Sequence, residues 1–234
     1  MASVVDEEFS CLGVTRLCEG LKASAAIVAE PTEMQTVVAS KGVLRWAITA
    51  HGRAAHSSKV HLGANAIHAM GHLVVALEKF HERLKTIQHP LLGSATANVG
   101  LIEGGVQVNF VPDRCSIQID RRLLPFEDVD QVLRSYQSVL DQVAKLAPDC
   151  RFQMEPPLLF DGCLETDPNS AISQLSCAVL KSLGYRESVA GVAYGSDASK
   201  ISKCGIDTIL FGPGSIDQAH TADEYIEKIG RAHV

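Results

Sequence analysis

The N-terminal segment alternates between strand-like and helix-like patterns of hydrophobic side chains. Residues 3–6 predict the end of a buried strand, residues 12–21 a short helix, and residues 25–29 a second buried strand. The apolar positions of the predicted helix are Leu12, Leu17 and Leu21. This order of short elements is typical of a parallel α/β unit, whose functional groups gather at the carboxyl ends of the strands.

The middle of the chain has a different pattern, which begins with two extended segments at 35–40 and 42–51. Leu44, Trp46 and Ile48 alternate with other residues in the second segment, so they share one face. Further elements are predicted in this order: a helix at 64–85, strands at 95–102 and 114–121, a helix at 127–147 and a strand at 151–160. The sequence strand-helix-strand-strand-helix-strand is the ferredoxin-like arrangement.

Both of these predicted helices have an apolar face. The first helix carries Ile67, Met70, Val74, Leu77 and Leu84 at helical spacing. The second carries Val129, Leu133, Tyr136, Leu140 and Val143. The acidic residues at its start are Glu127, Asp128 and Asp130, and negative charge there suits the positive end of a helix dipole.

An α/β pattern returns after residue 160. It predicts a helix that stops at Gly184, a short helix that begins near Asp197, and a buried strand at 206–211. The chain is therefore predicted to have two domains: an α/β domain formed by residues 1–40 and 156–234, and an inserted α+β domain at residues 41–155.

Composition and charge narrow the class of function. The net charge of −6 and the pI near 5.8 argue against nucleic-acid binding, which needs a clustered excess of lysine and arginine. No apolar run is long enough to span a bilayer, and the N-terminus lacks the features of a signal peptide. The seven cysteines are scattered without a C-x-x-C pair, as is typical of reduced thiols. We therefore expect a cytoplasmic protein with no nucleic-acid or membrane partner.

The two ends of the sequence look artificial. The residues after Met1 read as a strand entered halfway, and residues 229–234 continue no apolar period. Residues 229–234 also resemble the translation of a sequencing adapter. We expect them to be a cloning scar, and we exclude His233 from the candidate site.

Acidic and imidazole side chains follow the predicted buried strands of the α/β domain. Glu7 and Glu8 follow the first, Glu30 the second and His220 the last. Strand ends of this kind converge at one edge of a sheet, and carboxylates with an imidazole are ligands that zinc, cobalt or manganese accept. Of two adjacent acids, one can bind a metal while the other acts as a general base. Taken alone, the acidic pair is equally well an exposed surface feature.

Five segments together resemble a known family. They are DEEFSCLG at 6–13, AEPT at 29–32, GRAAHS at 52–57, GSDA at 195–198, and GPG at 212–214 followed by His220. In this order they resemble the acetylornithine deacetylase, succinyl-diaminopimelate desuccinylase, glutamate carboxypeptidase and aminoacylase family of co-catalytic zinc hydrolases. The resemblance runs from Val4 to about Glu227. It implies a zinc-peptidase-like α/β catalytic domain interrupted by a ferredoxin-like lid and dimerisation domain.

The resemblance also implies roles for the residues of the catalytic domain. Glu7 is expected to be the general base. Glu8 and His220 are expected to bind one of two zinc ions, and Glu30 the other, with cobalt or manganese as alternative metals. Gly214 matches a backbone position near the substrate.

Three residues of the inserted domain match family positions that act on the substrate. His56 resembles the histidine that reaches the partner subunit's active site and stabilises the tetrahedral oxyanion. Asn109 and Arg122 resemble residues that hold the substrate, and the planar guanidinium of Arg122 suits a free carboxylate. The implied assembly is a homodimer formed through the inserted domain.

One departure from the family pattern concerns the metal site. The family also uses a histidine and a metal-bridging aspartate from an upstream His-x-Asp segment, and only six residues precede Glu7 here. We therefore expect an N-terminally truncated catalytic domain. On this interpretation the 234-residue chain has no hydrolytic activity and binds zinc weakly.

The implied reaction is hydrolysis of an acyl or peptidyl amide on a small amino acid with a free carboxylate. Two zinc ions would polarise the carbonyl group, and Glu7 would move the proton from water to the leaving amine. Two alternatives remain open: a dipeptidase or carboxypeptidase with the same site, and a non-catalytic dimerisation module. A glutamate at position 30 resembles the deacylase and carboxypeptidase branches.

Several other residues have plainer interpretations. His68 and His72 have the spacing of a two-histidine metal site on a helix, but no third ligand continues the stripe, which favours a solvated or subunit-contact face. Arg121 is expected to be surface charge, and Trp46 core or interface. The remaining unpartnered histidines are predicted to lie on the surface: His51, His61, His81 and His89.

Overall fold

The computed structural model describes residues 1–7, 10–219 and 221–226. The strands in this part of the chain are β1 (Ala26–Val28), β2 (Thr36–Ser40), β3 (Gly42–His51), β4 (Ala55–His56), β5 (Gln88–His89), β6 (Gly93–Ser94), β7 (Thr96–Gly104), β8 (Phe110–Val111), β9 (Arg114–Leu123), β10 (Arg151–Met154), β11 (Leu159–Asp161), β12 (Leu164–Glu165), β13 (Val189–Val192) and β14 (Thr208–Leu210). The α-helices are α1 (Leu12–Cys18), α2 (Ala66–Leu84), α3 (Val129–Ala144), α4 (Ala171–Ser182) and α5 (Ala198–Lys203). Short 3-10 helices span Ser57–Leu62 and Ile216–Gln218.

The chain divides into two compact units. The discontinuous unit comprises Met1–Gly42, Pro90–Leu92 and Asp161–Val234, and the inserted unit comprises Val43–His89 and Gly93–Phe160. The insert thus starts at residue 43 and ends at residue 160, compared with the predicted limits of 41 and 155. The later end reflects β11, whose residues Leu159 and Phe160 still pair with β3 of the insert.

The discontinuous unit is built on a mixed sheet with the strand order β1-β14-β2-β12, in which β13 also pairs with β2. Strand β1 runs parallel to β14, and β2 runs parallel to β13, whereas β14 and β12 are antiparallel to β2. One core cluster contains Val37, Leu164, Ala198 and Leu210, and a second contains Val14, Ile201 and Ile206. The sheet is therefore α/β, as predicted, but not purely parallel.

The N-terminal segment differs from its prediction in two ways. Residues 3–6 form no strand and are exposed. Helix α1 buries Val14, while Leu12 is 53% exposed. The predicted stripe of leucines is only partly correct. Leu21 packs against a core cluster, but the fully buried residue of α1 is Val14, which packs with Ile201 and Ile206.

The inserted unit has the ferredoxin-like architecture. Its sheet order is β10-β3-β9-β7, with α2 following β3 and α3 following β9. Strand β10 is antiparallel to β3, and β7 is antiparallel to β9. Leu44, Trp46 and Ile48 are fully buried, as the alternation along β3 predicts. The ferredoxin-like prediction is confirmed.

Both helices of the insert form as predicted, but parts of their inward faces were wrong. Helix α2 buries Leu73, whereas Ile67 is 41% exposed. Helix α3 buries Tyr136, Val139, Leu140 and Val143. Side-chain caps begin both helices: Asn65 Oδ1 accepts from His68 N at 3.0 Å, and Asp128 Oδ1 accepts from Gln131 N at 2.8 Å.

Arg121, predicted to be a surface charge, is 1% exposed inside the insert. Its guanidinium pairs with Glu127 at 2.5 Å, and Glu127 also accepts a hydrogen bond from Leu124 N at 2.8 Å. Burial of an arginine is tolerated here because its charge is paired. Glu127 thus serves Arg121 and not the dipole of α3, which begins after Asp128.

Three of the four histidines predicted to lie on the surface are buried or half-buried: His51, His81 and His89. His89 is 8% exposed. His81 is half-buried, with Nε2 3.0 Å from the hydroxyl of Tyr136. Burial, together with the charge of Arg121, lowers the pKa of His81 to about 4. These residues belong to the packing of the insert.

No helix within residues 1–7, 10–219 and 221–226 is both long and apolar enough to cross a membrane.

Candidate active site

Two loops that follow neighbouring parallel strands meet in the discontinuous unit. Strand β1 pairs with β14 in register, with Val28 opposite Leu210. Glu30 lies two residues beyond β1, and Gly212 lies two residues beyond β14. Because the two strands run in the same direction, both loops leave the sheet at one edge. The strand pairing therefore brings Glu30 and the GPG segment to one edge of the sheet.

Backbone and side-chain hydrogen bonds of Thr32 join these loops. Thr32 N donates to Gly212 O at 3.2 Å, and Gly212 N donates to Thr32 Oγ1 at 3.1 Å. The hydroxyl itself donates to Gln35 O at 2.9 Å. Glu33 N donates to Gly214 O at 2.8 Å. Because Thr32 is 4% exposed, these bonds form away from water and fix the spacing of the two loops.

A cavity of about 510 Å³ lies between the same loops. Its lining includes Glu30, Pro31, Gly214, Ser215, Tyr225 and Ile226. The volume is within the range of small-molecule sites, which is about 300–1,000 Å³. Gly214 has φ +89°, a left-handed conformation that favours glycine, so its backbone can approach a ligand. The cavity is thus lined by two acidic residues, Glu30 and Glu224, together with glycine backbone and apolar side chains.

Tyr194 lies close to the acidic end of this cavity. Its hydroxyl donates to Pro31 O at 3.5 Å. Burial, and then the charge of Glu30, raise the pKa of Tyr194 to about 12. Tyr194 therefore stays protonated at neutral pH and remains a hydrogen-bond donor beside Glu30. No motif pointed to this residue in the sequence.

Glu7 lies in a turn and not at a strand end. Asp6 O accepts from Cys11 N at 2.7 Å and from Ser10 N at 3.3 Å, which closes the turn around Glu7. Cys11 Sγ donates to Glu7 O at 3.2 Å. Of the three predicted zinc ligands, Glu8 and His220 lie outside the described residues, and only Glu30 is described.

The described residues supply only part of the predicted set of metal ligands. Glu30 supplies a carboxylate beside a cavity, which suits zinc, cobalt or manganese. Within the described ranges, no group of three or more histidine, cysteine, aspartate or glutamate side chains is placed to hold a metal ion. His68 and His72 lie on the exposed side of α2.

A buried polar cluster lies beside the turn that holds Glu7. Lys200 Nζ pairs with Asp161 Oδ2 at 2.7 Å and donates to Ser196 O at 3.1 Å. Asp197 is 5% exposed, and burial raises its pKa despite the nearby charge of Lys200. Burial also raises the pKa of the Cys11 thiol, so the thiol stays protonated. The GSDA segment signalled Asp197, whereas nothing in the sequence signalled Lys200 or Asp161.

In the inserted unit, His56 and Asn109 lie together. Strand β4 pairs with β8, which places His56 opposite Phe110, and Ser57 N donates to Asn109 O at 2.9 Å. His56 Nδ1 accepts from Ser58 N at 3.2 Å. In the tautomer that this bond favours, Nε2 carries the ring proton, and the exposed side chain can offer it as a donor.

Arg122 lies near the end of β9 that is remote from Asn109. In the β7–β9 ladder Arg122 is opposite Thr96, whereas the end near Asn109 is marked by Cys115 opposite Gly104. Eight residues of strand separate Arg114 from Arg122, which corresponds to roughly 27 Å. The insert therefore does not bring Asn109 and Arg122 together within one chain.

Arg122 is held by a neighbouring acid. Its Nε donates to Asp120 Oδ1 at 2.8 Å, and Arg45 Nε donates to Asp120 Oδ2 at 2.6 Å. Arg45 is the more exposed of the two arginines, with a side chain 50% exposed compared with 30% for Arg122. Asp120 thus orients Arg122 from the same strand face, and the remaining guanidinium nitrogens can meet a carboxylate.

Comparison with known proteins places these features in a family. Residues 38–147 match the family described as "Peptidase dimerisation domain". The chain is 33% identical to the acetylornithine deacetylase of Shigella sonnei (strain Ss046) over 237 residues, which cover 96% of this chain and 58% of the deacetylase. The chain thus spans a little more than half the length of this relative.

Solved structures share the fold. A tripeptidase from Staphylococcus aureus superimposes with a TM-score of 0.71 at 22% identity, covering 90% of this chain and 54% of the tripeptidase. Aminopeptidase PepT from Bacillus cereus superimposes with a TM-score of 0.73 at 21% identity, covering 90% of this chain and 55% of the aminopeptidase. Residues 38–147 are therefore a peptidase dimerisation domain, and the chain as a whole is similar in sequence to acetylornithine deacetylase over a little more than half of that protein's length.

Proposed function

We propose that the whole protein is a metal-dependent amide hydrolase that removes an acyl group from an N-acyl amino acid. The observation that carries the proposal is the cavity between Glu30 and Gly214, which the strand pairing of β1 and β14 builds from two segments of the family pattern. The identity of 33% to an acetylornithine deacetylase supports a deacylase over a peptidase.

In this proposal Glu30, Glu8 and His220 hold divalent metal, with zinc as the preferred ion and cobalt or manganese as alternatives. The bound metal supplies Lewis-acid polarisation of the amide carbonyl group. The Glu7 carboxylate accepts a proton from the attacking water and returns it to the nitrogen of the leaving amine. Tyr194 donates its hydroxyl proton to Pro31 O and so helps to hold the loop that carries Glu30.

The proposal also assigns the inserted unit to dimerisation and substrate binding. Strand β7 pairs with β9 on one side and forms an edge of the sheet in the described part of the chain. It exposes the apolar side chains of Leu101 (54%) and Ile102 (58%). A partner subunit joined through this edge would cover them. The separation of roughly 27 Å between the two ends of β9 supports a division of labour between two active sites of a homodimer. His56 and Asn109 then serve one site, and Arg122 the other.

The substrate follows from the charges of these groups. Arg122 presents a planar guanidinium that Asp120 holds at 2.8 Å, which favours a substrate with a free carboxylate. We assign the Nε2–H of His56 to the stabilisation of a developing oxyanion.

The seven thiols form no disulfide, which supports a cytoplasmic location.

The test is a substrate panel on the whole protein loaded with zinc. We expect hydrolysis of N-acetylornithine or N-succinyl-diaminopimelate to exceed hydrolysis of dipeptides. Glu30→Gln should reduce turnover more than a hundredfold and lower the metal content, whereas Glu33→Gln, an exposed neighbour, should do neither. Faster hydrolysis of dipeptides would move the protein to the peptidase branch. No turnover of any amide, with normal dimer formation, would favour a non-catalytic dimerisation module.

A further inference from the structure

Asp197 of the GSDA segment has no role in the proposed reaction, yet it is almost completely buried. It occupies the N-cap position of α5, but its backbone is already helical (φ −59°, ψ −21°) and its side chain makes no capping hydrogen bond. An aspartate at this position normally caps the helix. Here Ser196 takes that part, because its Oγ accepts from Ala198 N at 3.3 Å. The carboxylate of Asp197 is therefore directed elsewhere.

The group that Asp197 meets is the thiol of Cys11. The charges of Asp197 and Lys200 both act on this thiol. Asp197 Oδ1 has no hydrogen-bond partner among the described residues, although the side chain is 5% exposed. A buried carboxylate in this state costs stability, so its retention calls for a function.

Cys11 connects this cluster to the turn that carries Glu7. Its Sγ lies 3.2 Å from Glu7 O, and its backbone N donates to Asp6 O at 2.7 Å. Asp6 (φ 65°) and Cys11 (φ 53°) both adopt left-handed backbone conformations, which are uncommon for residues other than glycine. Strained residues of this kind persist only where their surroundings hold them, and they occur at functional sites.

The cluster rests on a rigid base. Asp161 fixes Lys200 at 2.7 Å and also accepts a hydrogen bond from Ser199 Oγ at 2.9 Å. Val14 of α1 packs against Ile201 of α5 in a shared core cluster. A continuous set of contacts therefore runs from the sheet end at Asp161, through α5, to the carbonyl group of Glu7.

We infer that Cys11 and Asp197 are positioning residues that set the orientation of the Glu7 backbone, and through it the carboxylate that acts as the general base. This inference rests on the proposed function of Glu7. The thiol of Cys11 holds the turn by donating its single proton to Glu7 O at 3.2 Å, and Asp197 acts on the thiol through its charge from the α5 side. The side chains of Cys11 and Asp197 do not touch the substrate.

The test compares Cys11→Ala with Cys11→Ser in the whole zinc-loaded enzyme. Loss of the thiol should lower kcat about five- to tenfold, with KM and zinc content within twofold of the wild type, because only the orientation of Glu7 changes. Serine keeps a donor at this position and should restore kcat to within about threefold of the wild type. Asp197→Asn keeps the shape of the side chain and removes its negative charge, and it should also lower kcat.

The matched control is Cys18→Ala, because Cys18 lies on the same helix and does not contact the Glu7 turn. It should leave kcat unchanged. A wild-type kcat for Cys11→Ala would overturn the inference. Equal losses for the alanine and serine variants would also overturn it, since they would show that a hydrogen-bond donor at this position does not matter.

A second measurement needs no turnover and separates this inference from the proposed function. Hydrogen exchange of the 234-residue chain is followed in a peptide that covers residues 4–14. Cys11→Ala should raise its exchange rate severalfold, whereas Cys11→Ser and Cys18→Ala should not. An inactive wild type with this pattern would refute the proposed hydrolase and leave the positioning intact. Unchanged exchange in Cys11→Ala would refute the positioning, whatever the activity.

Discussion

Thr32 and Gly212, 180 residues apart in the chain, exchange hydrogen bonds across the edge of the sheet in the discontinuous unit. Thr32 N donates to Gly212 O at 3.2 Å, and Gly212 N donates to Thr32 Oγ1 at 3.1 Å. This pair sets the width of the cavity between Glu30 and Gly214. The candidate site therefore depends on a contact that neither loop makes alone.

Thr32→Val should lower the free energy of unfolding by about 1–3 kcal/mol, because it leaves the buried N–H of Gly212 without its acceptor. Valine has nearly the same shape, so packing changes little. Urea denaturation monitored by circular dichroism measures the loss. Thr86→Val is the control, since the Thr86 hydroxyl is exposed and donates only to Arg83 O. Equal effects of the two substitutions would contradict the assigned role of Thr32.

Gly212→Ala should separate the two loops, because a Cβ at this position would lie 2.6 Å from Glu30 O. We expect a loss of about 1–3 kcal/mol in the free energy of unfolding from this overpacking. Gly71→Ala is the opposite case: nothing lies within 4 Å of the new Cβ, and alanine favours the helix by roughly 0.5–1 kcal/mol. Thermal unfolding of both variants compares the two signs. A stabilising Gly212→Ala would show that the loops are not in close contact.

Glu127→Gln should destabilise the inserted unit by about 3–5 kcal/mol, because Arg121 is then buried without its counter-charge. Glu82→Gln removes an ion pair with Lys85 whose partners are both more than 60% exposed, and it should cost less than about 0.5 kcal/mol. Chemical denaturation measures both. If the two substitutions cost the same, the buried pair is not structural.

Acidification should destabilise the inserted unit through His81. The pKa of His81 is lowered to about 4 in the folded protein, mainly by burial, whereas an unfolded histidine titrates near 6.5. The unfolded state therefore binds more protons between these values, and stability is lost as pH falls through them. We expect the free energy of unfolding to decrease between pH 7.5 and pH 5 by more in the wild type than in His81→Gln. An identical decrease in the two proteins would exclude His81 as the cause.

Ile102→Glu should convert the proposed dimer to a monomer, because it places a charge on the exposed edge strand β7. Sedimentation velocity of the whole protein at a fixed concentration gives the oligomeric state. Leu158→Glu is the matched control, since Leu158 is 62% exposed but lies outside β7. A dimer that survives Ile102→Glu and dissociates with Leu158→Glu would place the interface elsewhere.

Much of the fold was predictable because hydrophobic periodicity reports burial directly. The alternation of Cys115, Ile117 and Ile119 in β9 and the stop of α4 near Gly184 (φ +83°) both appear in the structure as the sequence predicts. The order of elements in the insert was sufficient to predict the ferredoxin-like arrangement. Residues 3–6 were mispredicted because a short apolar run does not distinguish a buried strand from an exposed segment without regular structure.

The sequence by itself determined the resemblance to acetylornithine deacetylase and its relatives, the two-unit organisation and the candidate residues of the site, because these follow from local patterns and from motifs in a fixed order. Only the tertiary structure decided which of those residues meet. It joined Glu30 to Gly214 through parallel pairing of β1 and β14, and it separated Asn109 from Arg122 by the length of β9. It also buried Arg121 against Glu127 and placed Asp197 against Cys11. Such contacts join residues that are distant in the chain, and their partners are chosen by packing and charge in three dimensions.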